Sequence, residues 1–138
     1  MTVQGLTTGP LLRVEDLRLY YAGEHGDVRA VDGVSFEVEA GETLAIVGES
    51  GSGKTSLALA LLRLLPRNVA VHDGSVVLAG EPIMDLSEVD FRERVRWRQI
   101  SMVFQGATES MNPVFKVGHQ VAEPLTARKE RPKHEAYE

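Results

Sequence analysis

The chain has 138 residues, with 15 basic and 20 acidic side chains and a formal net charge of −5. That length supports about one domain with a real core, and the acidic balance argues against nucleic acid as the main partner. It contains no cysteine, which removes disulfides, thiolate metal sites and thiol catalysis, and no run approaches the roughly 20 apolar residues that cross a bilayer.

Met1 to Pro10 lacks the basic and apolar regions of a signal peptide and reads as a loose lead-in. A soluble protein is expected, any membrane role coming through a partner. Leu11 to Tyr21 is the first predicted strand, with Leu17, Leu19 and Tyr21 on one face of the pleat. Val28 to Glu39 is the second, where Val34, Phe36 and Val38 alternate with polar residues. Ala22 to Asp27 carries turn chemistry and reads as the hairpin loop between them. After the turn Ala40-Gly41-Glu42, the short apolar run Leu44 to Val47 reads as a buried parallel strand.

Lys54 to Leu65, rich in Leu and Ala and closed by Pro66, predicts a helix. Asp73-Gly74 starts a strand at Ser75 to Ala79, with Gly80-Glu81-Pro82 as its turn. Ser87 and Asp90 have capping-box spacing, so a helix is expected from Glu88 to about Arg98. Its arginines, Arg92, Arg94, Arg96 and Arg98, are diluted by acids and read as a solvated face. Ile100 to Phe104 is a second apolar strand ending at Gln105. A loop from Gly106 to Pro113 leads to a helix from about Val117, broken near Pro124. The tail, Arg128 to Glu138, mixes both charges.

Chemistry concentrates at Gly48-Glu49-Ser50-Gly51-Ser52-Gly53-Lys54-Thr55, which has the G-x-x-x-x-G-K-[ST] spacing of a phosphate-binding loop. Its glycines let successive N–H groups point inward as an anion nest. Lys54 then supplies a point charge to the β/γ phosphates, and the Thr55 hydroxyl can ligate Mg²⁺. Strand, loop and helix in that order place a helix N-terminus toward the phosphates. The histidines (His25, His72, His119 and His134) are scattered, with no pair at metal-ligand spacing. Asp85 to Glu88 follows a turn rather than an apolar strand and is rejected as a hydrolysis acid.

In small nucleotide kinases the loop usually opens the chain, whereas here 47 residues precede Gly48 and read as an antiparallel layer. Tyr21, the run Ala30 to Phe36, the run Gly41 to Thr55 and the run Ile100 to Gln105 together resemble the ATP-binding subunit of ABC transporters. Gln105-Gly106-Ala107, Met111-Asn112-Pro113-Val114, Val117-Gly118 and Gln120 are similar to the branch that imports dipeptides, oligopeptides and nickel, which more often has Leu where Met111 stands. The resemblance covers about residues 11 to 125.

It implies an α/β fold: a P-loop NTPase core with a partial RecA-like parallel sheet, plus an amino-terminal antiparallel β layer. Residues 11–138 would form the amino-terminal portion of the ATPase domain, with a helical subdomain starting near 106. Tyr21 matches the aromatic that stacks on adenine, with Tyr20 its rival if the register slips by one. Gly48, Glu49, Ser50, Gly51, Ser52 and Gly53 would cradle the phosphates of ATP, with Lys54, Thr55 and Ser56 beside them. Thr55 and Gln105 would meet Mg²⁺, and Gln105 would sense the γ-phosphate. The implied partners are a second ATPase subunit, membrane permease subunits touching Gly106 to Val121 and, indirectly, a solute-binding protein, at the cytoplasmic face of the membrane.

The family's Leu-Ser-Gly-Gly-Gln-like signature, its strand ending in Asp-Glu and its switch histidine do not occur in these 138 residues. The expectation is therefore an ATP-binding chain, cut before those motifs, that does not hydrolyse alone. A dedicated non-hydrolysing nucleotide binder stays open. A phosphate-loop kinase or GTPase is less favoured, since neither an acceptor lid nor Asn-Lys-x-Asp is visible.

Overall fold

The computed structural model describes residues 9–106 and 111–127. The lead-in through residue 8, positions 107–110 of the loop and the charged tail lie outside the described residues. The chain forms two compact units, Met1–Ser101 and Met102–Glu138.

In the first unit a four-stranded antiparallel sheet has the order β2-β1-β3-β4: β1 (Leu12–Tyr21), β2 (Val28–Val38), β3 (Val69–Leu78) and β4 (Glu81–Pro82). The expected β1–β2 hairpin is present, with Leu12 opposite Val38 and Tyr21 opposite Val28. Val14, Leu17 and Leu19 are all buried, although three positions separate the first two. The kink between them puts Asp16 at φ 51 and breaks the register against both neighbours. A bulge of this kind resets the side-chain parity, so both apolar residues face inward.

β3 starts at Val69, well before the expected Ser75. Gly74 is not a turn. It lies inside the strand at φ +118, where an added Cβ would come within 2.7 Å of the Asp16 carbonyl oxygen and the Leu17 Cα. Glycine inside a strand marks this close backbone approach.

Helix α1 (Lys54–Leu61) lays Leu57 and Ala60 on the core built by β1, β2 and β3, with Ile83, Phe91 and Val95 completing it. It ends four residues before the expected Leu65, because Arg63 turns left-handed at φ 51. Arg96 holds that end, donating from Nε and Nη2 to the Leu62 carbonyl at 3.1 and 3.0 Å and from Nη2 to Arg63 at 3.2 Å. The expected solvated face therefore holds for the exposed Arg92, Arg94 and Arg98 but fails for Arg96, whose side chain is 15% exposed.

The cap at Ser87 forms as expected. Its Oγ accepts from the Asp90 amide at 3.1 Å and donates to the Asp90 carboxylate at 2.5 Å. The helix it starts, α2 (Glu88–Asp90), widens at once into a π-helical turn over Phe91–Val95. That turn buries Phe91 and Val95 completely and stops at the extended Arg96, short of the expected Arg98. Trp97 follows at φ +69 and is 61% exposed.

Neither the expected parallel strand at Leu44 to Val47 nor the expected apolar strand at Ile100 to Phe104 forms. Leu44 to Val47 has no ladder partner among the described residues, and Val47 is 88% exposed. Of the other run, Ile100 makes one parallel bridge to Arg96, while Val103 is 87% exposed. A parallel strand is stable when flanked by neighbours and covered on both faces, and neither run has such neighbours among the described residues. The sheet among the described residues is accordingly all antiparallel.

In the second unit, α3 (Val117–Ala127) begins where expected but runs through Pro124 instead of breaking there. Gln120 ties the preceding loop to the helix, accepting from the Asn112 amide at 2.7 Å and donating to the Asn112 and Phe115 carbonyls at 3.0 Å.

Candidate nucleotide-binding site

Gly48 to Thr55 bends through two left-handed glycines, Gly51 at φ +83 and Gly53 at φ +89. The turn closes by the Ser52 amide donating to the Glu49 carbonyl at 3.2 Å. Gly53 is the N-cap of α1 and offers no side-chain cap, and no acidic residue stands in the first turn. The first amides of the helix and its positive dipole end are thus left to an external anion. Lys54 Nζ lies over the loop, donating to the carbonyls of Gly48 at 2.9 Å and Glu49 at 2.6 Å and to Ser52 Oγ at 3.2 Å.

The loop is exposed at Glu49, Ser50, Gly51, Ser52 and Thr55, with Gly53, Lys54 and Ser56 half-buried. It borders a cleft of about 640 Å³ whose walls include Ser52, Gly53 and Lys54, the β2 residues Ala30 and Asp32, and the apolar Ile46. Space is tight on one side only. A Cβ at Gly53 would lie 2.1 Å from the Ala30 carbonyl oxygen, and one at Gly48 would lie 2.7 Å from Ser52 Oγ, while Gly51 has open space. A glycine-walled turn, uncapped amides and one ammonium converging on the same loop fit a polyphosphate.

The aromatic neighbours divide. Tyr21 is half-buried against the core cluster and does not line the cleft. Tyr20, on the opposite face, donates its hydroxyl to Asp32, and the Arg29 guanidinium stands 5.5 Å from its ring centre. The bond to Asp32 is the largest cause pushing the Tyr20 hydroxyl above its ordinary pKa, and it holds the Asp32 carboxyl below its own. Gln105 is exposed and lies in the second unit. The approach of Ala30 to the loop has no periodicity signal; its one trace in the sequence is the glycine at position 53. Among the described residues no cluster of His, Asp or Glu could hold a metal ion, and no helix is long and apolar enough to cross a membrane.

A phosphate loop opening a helix beside an antiparallel layer defines a P-loop NTPase type of protein. The sequence model of the ABC transporter family matches residues 31–136. The chain belongs to the ABC transporter family. It is 45% identical over 93% of its length to the oligopeptide transport ATP-binding protein OppD of Escherichia coli, covering 37% of that protein. Identity is 47% over 83% of the chain to a probable peptide ABC transporter ATP-binding protein of Sinorhizobium fredii, of which 34% is covered. The dipeptide transport ATP-binding protein DppD of Lactococcus lactis is 40% identical over 83% of the chain, with 33% covered. The chain thus spans roughly a third of the length of these relatives.

Proposed function

We propose that this chain is the nucleotide-holding part of the ATP-binding subunit of a peptide importer. The observation that carries the reading is Lys54 Nζ seated over the Gly48–Ser52 turn at the uncapped N-terminus of α1. Amides from Glu49 to Gly53 would receive the phosphates of ATP, Lys54 would sit against the β/γ oxygens, and Thr55 and Ser56 would lie at the helix entry. Mg²⁺, when bound, would neutralise phosphate charge, and Thr55 is its proposed side-chain contact. Tyr21 is the proposed adenine neighbour. Peptide cargo rests on the oligopeptide and dipeptide transport proteins to which the chain is similar.

In the working transporter the subunit would pair with a second ATPase subunit and dock on permease subunits at the cytoplasmic face. A solute-binding protein would act through those permeases. The exposed Val114, Phe115, Val117 and Val121 support a docking role for the segment after Gln105. In-line attack on the γ-phosphate needs a group that orients water, and none of the 138 residues has the Asp-Glu strand end that supplies it. The chain alone should therefore bind Mg-ATP and not turn it over.

Calorimetric titration tests both parts. Mg-ATP binding that weakens at least about tenfold in Lys54→Ala is expected, the size of a lost charge-assisted contact. Turnover above background that vanishes in Lys54→Ala would overturn the non-hydrolysing part, and equal affinity in both chains would overturn the site.

A further inference from the structure

The β1–β2 ladder carries one irregularity that faces the phosphate loop. Leu19 pairs with Val31 and the next residue, Tyr20, pairs with Arg29, so Ala30 is an extra residue bulged out of β2. β2 is an edge strand, which leaves the bulge free to approach another part of the unit. What it approaches is the loop: the Ala30 carbonyl oxygen occupies the space that a side chain at Gly53 would need.

On either side of the bulge stands a polar tie. Tyr20 donates its hydroxyl to Asp32, and Arg29 Nη1 reaches the other carboxylate oxygen of Asp32 at 3.3 Å. The Arg29 guanidinium also covers the Tyr20 ring. The two residues that flank the tie on β2, Arg29 and Asp32, bracket Ala30 and the buried Val31. Their joint hold on a single tyrosine of β1 fixes how far the intervening backbone projects. Bulges next to functional sites re-aim the chain in this way.

We infer that the Ala30 bulge, fixed by Tyr20, Arg29 and Asp32, positions Gly53 and with it the amide cradle and Lys54 for the triphosphate. Tyr20 and Asp32 are positioning residues in this scheme. They act through the Ala30 carbonyl. The inference rests on the nucleotide reading above.

The test uses the chain with Tyr20→Phe, Asp32→Ala and the double substitution, titrated with Mg-ATP and, separately, with Mg-tripolyphosphate. Each single change should weaken both ligands about fivefold, the scale of one hydrogen bond. The double variant should lose no more than the larger single loss, because both changes break the same bond. Exchange of the Ser52 amide, which donates to the Glu49 carbonyl, should quicken without ligand, with exchange over Leu57 to Leu61 unchanged. A loss confined to Mg-ATP would mean that Tyr20 meets the base, and would overturn the inference. So would unchanged affinities, or a loss that merely tracks global unfolding with uniform exchange. If the unsubstituted chain binds neither ligand, the nucleotide reading itself falls and this inference with it.

Discussion

Gly53 and Gly51 share a left-handed backbone and differ in their neighbours, which separates conformational strain from collision. At Gly51 the surroundings are open, so Gly51→Ala should cost about 1 kcal/mol, the ordinary penalty of a side chain in that region. At Gly53 the same penalty adds to a contact of 2.1 Å with a backbone oxygen, which cannot rotate away. Gly53→Ala should lose about 2–4 kcal/mol and most nucleotide affinity, read by urea denaturation and by titration. Both glycines are legible from the loop's spacing. Gly74 shows the limit of such reading, because Asp-Gly signals a turn locally. Only the partner strand reveals that its missing side chain makes room for the Asp16 kink.

Between elements, Arg96 makes a multiple polar joint at the end of α1. Three bonds from one guanidinium satisfy carbonyls that the helix cannot satisfy itself. Glu88 pairs with Arg96 at 3.2 Å, and Phe91 lies beneath the guanidinium with its ring centre 5.4 Å away. Arg96→Met should destabilise the chain by about 2–3 kcal/mol, since it strands carbonyls as well as removing bonds. Lysine should restore only part of that, lacking the planar fork. By contrast Arg94, paired to Glu81 at the surface, should cost under about 1 kcal/mol as Met. Denaturation midpoints of the three variants would check the order. Charge patterning groups these arginines together, because it records sign and spacing and not which carbonyls a later segment meets. The hairpin of β1 and β2 was legible because its alternation and turn are local. Leu44 to Val47 was not, because apolar content describes what a strand can bury and says nothing of whether a neighbour stands beside it.

For the whole molecule, acid stability turns on His72. Its ring is half-buried with Nε2 unpartnered, and burial first, then the nearby Arg63 charge, push its pKa below the ordinary value. The unfolded chain therefore takes up that proton more readily than the folded one. The stability due to a neutral His72 is full above the unfolded value of about 6.5 and declines as pH falls below it, down to the folded pKa. Between pH 7 and pH 5 the denaturation midpoint should fall, and His72→Gln should flatten that slope. A slope unchanged by the substitution would assign the effect elsewhere. Asp32, whose pKa is lowered by the Tyr20 bond, adds its own loss only at lower pH, beginning as the unfolded chain's carboxyl takes up its proton near the ordinary value of about 3.9 and ending at the lower folded pKa.

Trp97, the one tryptophan of the chain, stands in a solvent-facing left-handed turn and outside the hydrophobic core. Its indole already experiences water in the native state, so its emission has little further to shift when the core opens. Fluorescence from this chain reports on the turn after the π-helix, and the melting of the sheet has to be followed by the circular dichroism of the backbone.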